Sequence, residues 1–310
     1  MTIFNKIGYY IQSIVFAKTT NKMWLRLLVI LAIILLITMR FRKSISTTEG
    51  FSQKERFILK MGDAKYDYMY AEIYDELMMP EYRMNEEVSL IVETTQPSSK
   101  SVFLDIGSGT GHLVNSLQQQ GYVAYGIEKS QAMVSKCAKT FPDADVKCGD
   151  AVDPMAFEHN TFSHILCTHY TIYNFKNKRG LFQNCYSWLI PYGYLVLHLV
   201  DKDNFDAVIP AGKPITDVPT DYLEKRITST GIDFGNYYYR ASYDFDKSNV
   251  VFKESFTNKS DGAVRQNEEV LYMDSIDTIL KLAQQCGFVL KGKSGYSDDK
   301  YQYLYFLERV

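Results

Sequence analysis

A short apolar run that ends in a glycine-rich turn, with a helical pattern directly behind it, constrains the fold of this chain more than any other feature. The run Ser101–Gly107 reads SVFLDIG, the turn continues through Gly109 and Gly111, and HLVNSLQQQ follows from His112. Glycines at a strand-to-helix turn let a ligand approach the backbone closely, and they place that ligand at a helix N-terminus. By itself, the turn does not identify the ligand.

Further apolar runs alternate with amphipathic helical patterns after this turn, which is typical of an α/β sheet. The second run, YVAYGIE, ends in Glu128, 23 residues beyond Asp105. A carboxylate at that place can accept both ribose hydroxyls of a bound nucleoside. A third run ends in Gly149 and Asp150, and a fourth, FSHILCTHY, leads into a loop that contains His169. A helical pattern and a fifth run, YLVLHLV, complete the alternation.

These segments resemble four motifs of the class I S-adenosylmethionine (SAM) dependent methyltransferases. Asp105–Gly111 resembles the first motif of that family, Glu128 holds its ribose-binding position, and Gly149–Asp150 holds its adenine-contacting position. Leu189–Leu197 (LIPYGYLVL) resembles the family's step into strand five, with Tyr192 in place of the first glycine. That departure concerns a structural turn. The resemblance extends from about residue 66 to the C-terminus.

The resemblance implies an α/β fold with a Rossmann-like, seven-stranded methyltransferase sheet, and an enzyme (EC 2.1.1.-) that uses SAM without a metal. Asp105 would bond the methionine amino group of SAM, and the glycine backbone would make room for the ligand. The implied cofactor-binding residues are Asp105, Gly107, Ser108, Gly109, Gly111, Glu128, Gly149, Asp150, Cys167 and Thr168.

Methyl transfer from a sulfonium is an in-line displacement, which alignment and water exclusion can accelerate. An amine acceptor must be neutral when it attacks, so a nearby base would help. His169, just past the fourth strand, is the leading candidate for a catalytic residue, followed by Tyr173 and His198. Because a lone histidine is more often structural, a structural role for His169 stays open.

A nicotinamide-dependent Rossmann enzyme is the alternative for the glycine-rich turn. Its G-x-G-x-x-G pattern requires glycine where His112 stands. Near the C-terminus, a helical pattern from Ser275 to Cys286 precedes the strand patterns GFVLKGKSGYS and YQYLYFLERV. These two strands resemble the terminal antiparallel pair of class I methyltransferases. Both features favour the methyltransferase.

Residues 203–273, between the fifth strand and the last helix, predict an antiparallel β cap. NYYYRASYDFD alternates strictly, as in a half-buried strand. Its aromatic face holds Tyr237, Tyr239, Tyr243 and Phe245. VVFKESF and VRQNEEVLYM could pair with it, joined to each other through a turn at Asp261 and Gly262. Such a cap resembles that of small-molecule N-methyltransferases of the amino-sugar and glycine types, and a purely structural sheet extension is the alternative.

An apolar segment near the N-terminus predicts an N-terminal transmembrane helix. Trp24–Met39 reads WLRLLVILAIILLITM, apolar on every face, and as a helix it is about 24 Å long against a ~30 Å hydrocarbon core. A buried core helix is the alternative. The predicted organisation is a basic segment (1–23), a transmembrane helix (24–40), a linker (41–61) and the methyltransferase domain (62–310).

Charge and cysteine content bear on the partners and the compartment. The net charge of -2 gives no reason to expect nucleic acid as a partner.

The five cysteines contain no CxxC pair, which suits a reducing compartment. Basic residues flank both ends of the apolar segment and do not orient it. Because SAM is cytosolic, we expect a single-pass protein whose catalytic domain faces the cytosol, and the oligomeric state stays open.

The favoured function is methyl transfer to a small-molecule acceptor, an amine, a hydroxyl or a lipid-associated group, at a membrane surface. Two alternatives remain: a membrane-anchored SAM-binding protein without catalysis, and a methyltransferase of protein or RNA. The intact first motif, Glu128 and Asp150 favour an active enzyme, because a decayed one tends to lose such residues.

Overall fold

The computed structural model describes residues 30–31, 55–214, 226–246, 249–297 and 300–310. The predicted basic segment (1–23) and almost all of the predicted transmembrane helix (24–40) lie outside the described residues. Among the described residues, no helix is long and apolar enough to cross a membrane. The chain divides into two units, Met1–Ser52 and Gln53–Val310, and the second unit holds the elements below.

The second unit alternates strands and helices as the sequence predicts. Its strands are β1 (Phe57–Met61), β2 (Val102–Ile106), β3 (Val123–Glu128), β4 (Asp145–Cys148), β5 (Phe162–Cys167), β6 (Leu189–Val200), β7 (Lys213–Pro214), β8 (Ser229–Phe234), β9 (Tyr237–Phe245), β10 (Val250–Asn258), β11 (Val264–Leu271), β12 (Phe288–Gly295) and β13 (Gln302–Arg309). Its α-helices are α1 (Tyr68–Met78), α2 (Glu81–Thr95), α3 (His112–Gln119), α4 (Gln131–Thr140), α5 (Lys178–Trp188) and α6 (Ile276–Gln285).

The central sheet has seven strands in the order β12-β13-β6-β5-β2-β3-β4, which confirms the predicted methyltransferase sheet. Strands β2 to β6 pair in parallel. Strand β13 is antiparallel to both β6 and β12. After β2 the chain continues to β3 on one side of it, and β5, which comes later in the chain, pairs with β2 on its other side. The carboxyl ends of β2 and β5 therefore flank a crevice where α/β sheets bind ligands.

The main core lies between the central sheet and the helices that cover it. In α3, Leu113, Val114 and Leu117 share one buried face, as the spacing of the apolar positions predicts. They pack with Phe103 of β2 and Ile91 of α2 in one cluster. Each such side chain contributes roughly 1.5–3 kcal/mol when fully buried. Because β2 and α3 are both anchored in this core, the glycine-rich turn between them is fixed in position.

A second sheet of six strands, in the order β1-β11-β10-β9-β8-β7, forms the cap. Strands β8 to β11 pair antiparallel, as predicted for this insertion. The aromatic inner face of β9 is confirmed at Tyr239, which is 1% exposed. Asp261 and Gly262 form the turn between β10 and β11, and Gly262 adopts the left-handed φ of 71° that favours glycine.

The predicted linker (41–61) is too long at its C-terminal end. Its last five residues form β1, which pairs in parallel with β11 from Phe57↔Val264 to Met61↔Glu268. The sequence FILKM has the apolar content of a strand, but a parallel partner more than 200 residues away leaves no local signal. The cap therefore draws on both the predicted insertion and the residues that precede the methyltransferase sheet.

Candidate active site

A cavity of about 710 Å³ opens at the crevice beside the carboxyl ends of β2 and β5. Eight of the ten predicted cofactor residues line it, together with His169. These eight are Asp105, Gly107, Ser108, Gly109, Glu128, Gly149, Asp150 and Thr168. Residues of α1 and the turn after it, including Tyr74, Met78 and Pro80, line the cavity from the side opposite the sheet. The tertiary structure thus brings together residues that the sequence separates by more than 60 positions.

The three glycines of the turn have different roles. At Gly109 (φ 54°) an added Cβ would meet only Tyr74, 3.8 Å away, so this glycine opens backbone to the cavity. At Gly107 (φ 69°) a Cβ would lie 2.6 Å from a Thr171 side-chain atom. Gly111 does not line the cavity, and its Cβ would collide with the Cys137 sulfur. The predicted cofactor role of Gly111 is corrected to a packing role at the start of α3.

Glu128 lies at the end of β3 with both carboxylate oxygens bound to backbone. The Gly109 N–H donates to Oε2 at 3.0 Å, and the Ser130 N–H donates to Oε1 at 2.8 Å. Burial raises the pKa of Glu128, although these backbone bonds act in the opposite direction. Because a carboxylate has about four acceptor sites, two remain for ligand hydroxyls. Glu128 therefore ties the glycine turn to the position predicted for a ribose.

Asp105 is 5% exposed at the end of β2 and faces the cavity. Among the described residues it has no hydrogen-bond partner. Burial raises its pKa to about 8, and the charge of Glu87 adds to the rise while His169 opposes it. A buried carboxyl group without a donor is costly unless a ligand supplies one. An ammonium group bound in the cavity would be such a donor.

His169 forms an ion pair that the sequence did not predict. Its Nε2 lies 3.2 Å from Oε2 of Glu87, a residue of α2 with no exposed side-chain surface. The Tyr296 hydroxyl donates to the other oxygen of Glu87 at 2.6 Å. Because Nε2 faces Glu87, the Nδ1 atom is left to exchange a proton. This arrangement fixes the orientation of the His169 ring and explains why a carboxylate occupies the buried side of α2.

The charges of this pair shift both pKa values. Burial alone would lower the pKa of His169, but the charge and hydrogen bond of Glu87 raise it more, so it lies above its ordinary value. Burial would raise the pKa of Glu87, but His169 lowers it to about 2. Since the His169 side chain is 36% exposed, solvent weakens the interaction. Because its pKa is raised, His169 holds a proton on both ring nitrogens over a wider pH range. It must lose the Nδ1 proton to solvent before that atom can accept another.

Replacing Glu87 by glutamine is expected to lower the pKa of His169, because burial then acts without an opposing charge. Proton-detected NMR titration of the His169 ring measures this directly. The neighbouring Glu86→Gln variant is the matched control, since Glu86 instead accepts from the Ser297 N–H. Equal His169 midpoints in the two variants would contradict the assigned ion pair.

Tyr173 and Cys167, two further predicted site residues, do not line the cavity. Tyr173 is fully buried, and its hydroxyl accepts a hydrogen bond from the Val200 N–H at 2.9 Å. The predicted catalytic role of Tyr173 is therefore corrected to a structural one, in which it fixes the loop after β5 to β6. Cys167 is buried and directly precedes Thr168, which lines the cavity. Burial raises the pKa of the Cys167 thiol. The fold places its side chain away from the ligand space.

His198, the remaining histidine considered as a base, is 1% exposed on β6 and lines neither this cavity nor the smaller chamber described next. Burial lowers its pKa to about 3, which keeps it neutral. Its Nδ1 accepts from the Tyr170 N–H at 3.4 Å. His198 therefore supports the loop that carries His169. Within the described residues, no group of three or more histidine, cysteine or carboxylate side chains is arranged to bind a metal.

A smaller chamber of about 100 Å³ lies between α1 and the inner face of the cap. Five residues line both this chamber and the larger cavity: Tyr66, Tyr74, Met78, His169 and Asn174. The cap contributes Tyr243, Phe252 and Glu269. Among the described residues, the hydroxyls of Tyr74 and Tyr243 have no hydrogen-bond partner, so they are available to a polar ligand. The cap thus contributes a binding wall as well as a sheet.

Lys65 also lines this chamber and lies buried between two carboxylates of the cap. It forms an ion pair with Glu269 and lies 3.7 Å from Glu254. The Tyr70 and Tyr239 hydroxyls donate to Glu254 at 2.7 and 2.6 Å. Sequence reasoning missed this cluster, because a lysine in a polar stretch before α1 gives no sign of being buried. The cluster fixes the position of Glu269 at the chamber.

Comparisons with known proteins agree with this fold and site. Residues 104–197 match the family model described as a methyltransferase domain. This segment includes β2 to β5, the glycine-rich turn, Glu128, Asp150 and His169. A comparison with curated protein sequences finds no match. The family match thus covers the sheet side of the larger cavity, whereas the residues of α1 that line it lie outside the match.

Solved structures resemble the chain over most of its length. The CcbJ methyltransferase from Streptomyces caelestis is 14% identical, with a TM-score of 0.59 over 79% of this chain and 98% of that chain. A SAM-dependent methyltransferase from Clostridium acetobutylicum is 16% identical, with a TM-score of 0.55 over 77% and 97%. SAM-bound CalS10, an amino pentose methyltransferase from Micromonospora echinaspora, is 16% identical, with a TM-score of 0.53 over 74% and 95%. At these identities the likeness establishes the fold.

The strand order separates this fold from other nucleotide-binding sheets, because the antiparallel β13 lies between β6 and β12. The turn between β2 and α3 carries the first motif, and Glu128 ends the next strand. Together with the methyltransferase domain matched at residues 104–197, these features show that the chain has the fold of the class I S-adenosylmethionine-dependent methyltransferases.

Proposed function

We propose that this protein transfers a methyl group from SAM, bound in the larger cavity, to a small molecule bound in the chamber under the cap. The observation that carries this proposal is that His169 and Tyr74 line both spaces. A methyl donor and an acceptor that meet at such a junction can align for in-line displacement. His169, oriented by Glu87, takes the proton of the acceptor through its Nδ1.

The residues around the larger cavity complement the parts of SAM. Asp105 offers an unpaired buried carboxyl group to the methionine ammonium, and Glu128 has free acceptor sites for the ribose hydroxyls. Asp150 lies farther along the same edge, held by Lys129 at 3.3 Å, where the adenine would bind. Gly109 lets the ligand approach the backbone. These contacts support a SAM orientation with methionine at the Asp105 end of the cavity and adenine at the Asp150 end.

The chamber favours a small polar acceptor, an amine or a hydroxyl, over a protein or RNA. Its volume is about 100 Å³, and Tyr74, Tyr243 and Glu269 offer polar atoms. Two structural neighbours act on amino sugars by name: CalS10 is an amino pentose methyltransferase, and KedS8 is a sugar N-methyltransferase. A lipid-associated acceptor also fits if only its head group enters the chamber.

We further propose that the predicted helix at residues 24–40 attaches the protein to a membrane, with the catalytic domain in the cytosol where SAM is made. The support is the apolar sequence Trp24–Met39 and the scattered, unpaired cysteines. Protease treatment of sealed microsomes that carry the full chain tests the topology. Digestion of the domain without detergent is expected, whereas its protection and glycosylation at Asn258 would overturn the orientation.

The function is tested in two steps with the full chain. Calorimetry should show one SAM site that EDTA does not affect. Purified protein should then transfer labelled methyl from SAM to a fractionated metabolite and lipid pool, and His169→Ala should lose this transfer while it still binds SAM. Absence of SAM binding would refute the proposal. SAM binding without transfer to any pool would favour the alternative of an anchored SAM-binding protein without catalysis.

Replacing Glu128 by alanine is expected to weaken SAM binding about tenfold or more, because charge-assisted bonds to the ribose contribute roughly 1.5–3 kcal/mol. Glu128→Gln, which keeps the shape, should retain part of the affinity. Calorimetry measures both, and circular dichroism confirms that each variant folds. An unchanged dissociation constant in folded Glu128→Ala would place the ribose elsewhere.

A further inference from the structure

Strand β1 has its apolar residues on the outer face of the cap, which is the reverse of the usual pattern. Phe57, Leu59 and Met61 are 53%, 45% and 62% exposed. Between them, Ile58 and Lys60 point to the other face and are partly buried. We call Phe57, Leu59 and Met61 the apolar row. A half-buried strand that faces water normally shows the opposite alternation, so the row is suited to a contact outside the domain.

The apolar row is confined to the edge of the cap sheet. On the same face, the β11 residues opposite Leu59 and Met61 are Gln266 and Glu268. The next strand continues the polar surface with Ser255 and Lys253. Elsewhere on this face, the exposed apolar side chains Tyr238 of β9 and Val270 of β11 stand singly, at 58% and 40% exposure. Only the edge strand, which the chain reaches first after residue 56, carries three of them in succession on one face.

The area of the apolar row is too small for a stable protein interface. Three half-exposed large side chains offer on the order of 300 Å², since even a large aromatic side chain buries only about 150–250 Å² in full. A stable homodimer needs about 800 Å² from each partner. The row can strengthen an existing attachment of the chain to a surface. Once another part of the chain is attached there, tethering gives the row a high effective concentration at that surface.

The position of the row in the chain indicates which surface it meets. The apolar run Trp24–Met39 of the predicted membrane helix is separated from Phe57 by residues 40–56. At about 3.5 Å per residue, this tether reaches at most roughly 60 Å. It carries Arg40, Arg42 and Lys43, and Arg56 is exposed beside the row. Basic residues of this kind are attracted to anionic lipid head groups.

We propose that the apolar row inserts into the interfacial region of the bilayer and docks the cap against the membrane. This inference rests on the proposed membrane attachment. Met61 pairs with Glu268, and the next residue, Glu269, faces the chamber on the opposite side of β11. Docking through the row therefore holds the cap wall of the chamber close to the bilayer.

Fluorescence quenching of the full chain in vesicles tests this contact. Leu59→Trp is placed in a Trp24→Phe background, which removes the tryptophan near the predicted span, while the fully buried Trp188 stays constant. The matched control is Tyr238→Trp, because Tyr238 is 58% exposed on the same outer face of β9, three strands or about 14 Å away. The vesicles contain phosphatidylcholine and phosphatidylserine, with or without brominated acyl chains.

We expect brominated lipid to reduce the fluorescence that the Leu59→Trp substitution adds at least twofold, and to leave the fluorescence that Tyr238→Trp adds within a tenth of its value. Flotation of the same samples reports attachment separately. Protein that floats without selective quenching at position 59 overturns the docking surface and leaves the proposed attachment intact. Protein that does not float refutes the attachment, and the docking inference with it. Concentration-dependent cross-linking through position 59 in floating protein would assign the row to a second copy instead.

Discussion

Asp105→Asn is expected to weaken SAM binding by about ten- to a hundredfold and, at the same time, to stabilise the ligand-free protein. Asparagine keeps the shape of the side chain but cannot form a charge-assisted bond with an ammonium group, which is worth roughly 1.5–3 kcal/mol. In the ligand-free protein, Asp105 is a buried carboxyl group that lacks a donor among the described residues. The variant removes that cost, so binding and stability should change in opposite directions.

The raised pKa of Asp105 determines how these effects depend on pH. Its folded-state pKa of about 8 lies far above its ordinary value of 3.8. The folded state therefore binds a proton that the unfolded state releases, and stability falls as the pH rises from about 4 to 8. At pH 7.5, Asp105→Asn should be more stable by about 2 kcal/mol or more. Well below pH 3.8, where both states are protonated, the gain should disappear.

SAM binding should show the complementary pH dependence. Below pH 8 the ligand-free carboxyl group holds a proton that must leave before it can pair with an ammonium group. Affinity is therefore expected to rise about tenfold per pH unit between pH 6 and 7.5 in the native chain, and this slope should vanish in Asp105→Asn. Calorimetry in buffers of different ionisation enthalpy would report the released proton.

The matched control for these measurements is Asp145→Asn, because Asp145 is an exposed aspartate at the start of β4, away from the larger cavity. It should alter neither the SAM affinity nor the pH dependence of unfolding. If Asp105→Asn bound SAM as tightly as the control, the methionine ammonium would not lie at Asp105. If it were less stable than the native chain at pH 7.5, the carboxyl group would have a partner in the folded state.

Lys65→Met is expected to lower the free energy of unfolding by about 3–5 kcal/mol, because it leaves Glu254 and Glu269 buried together without their cation. Lys65 is 2% exposed, and its ammonium group also lies 4.7 Å from the ring centroids of Tyr66 and Phe252. Methionine can fill the space but cannot neutralise a carboxylate. This loss is a large part of the stability of an ordinary domain.

The pKa of Lys65 shows that the attraction exceeds the cost of burial. Burial alone lowers it, but Glu269 and Glu254 raise it above the ordinary 10.5. A raised lysine pKa stabilises the fold at every pH below the unfolded value, and this contribution disappears only as the pH rises through the folded value. The effect of Lys65→Met should therefore be nearly constant from pH 6 to 9.

Urea unfolding of the native chain and the variant measures this loss. Lys60→Met is the matched control, because Lys60 lies five residues earlier, has 35% side-chain exposure and pairs with Asp67 at 3.5 Å. A partly exposed pair of that kind contributes at most about 1 kcal/mol. In the Lys65→Met background, Glu269→Gln should restore part of the stability, since it removes one unpaired charge. Equal unfolding of Lys65→Met and Lys60→Met would contradict the proposed network.

The sequence alone predicted the parts of the site that local order controls. The turn at residues 107–111, the acid at Glu128 and the pair Gly149–Asp150 each follow a strand, and parallel strands bring their carboxyl ends to one edge. Alternation of aromatic and polar residues likewise predicted the antiparallel strands of the cap. These signals need only the periodicity of one element and the turn after it.

The tertiary structure alone decided which partners complete the site. Glu87 reaches His169 from a helix 82 positions earlier, and Lys65 meets Glu269 across 204 positions, so neither pair has a local pattern. Tyr173 lies in the same loop after β5 as His169, yet its hydroxyl turns to the backbone of β6. The sequence determined the sheet and the cofactor motifs because those depend on short-range order. The tertiary structure decided the surroundings of His169 and the charged wall formed by Lys65 and Glu269, because a side chain's charge state depends on neighbours that only the folded chain assembles.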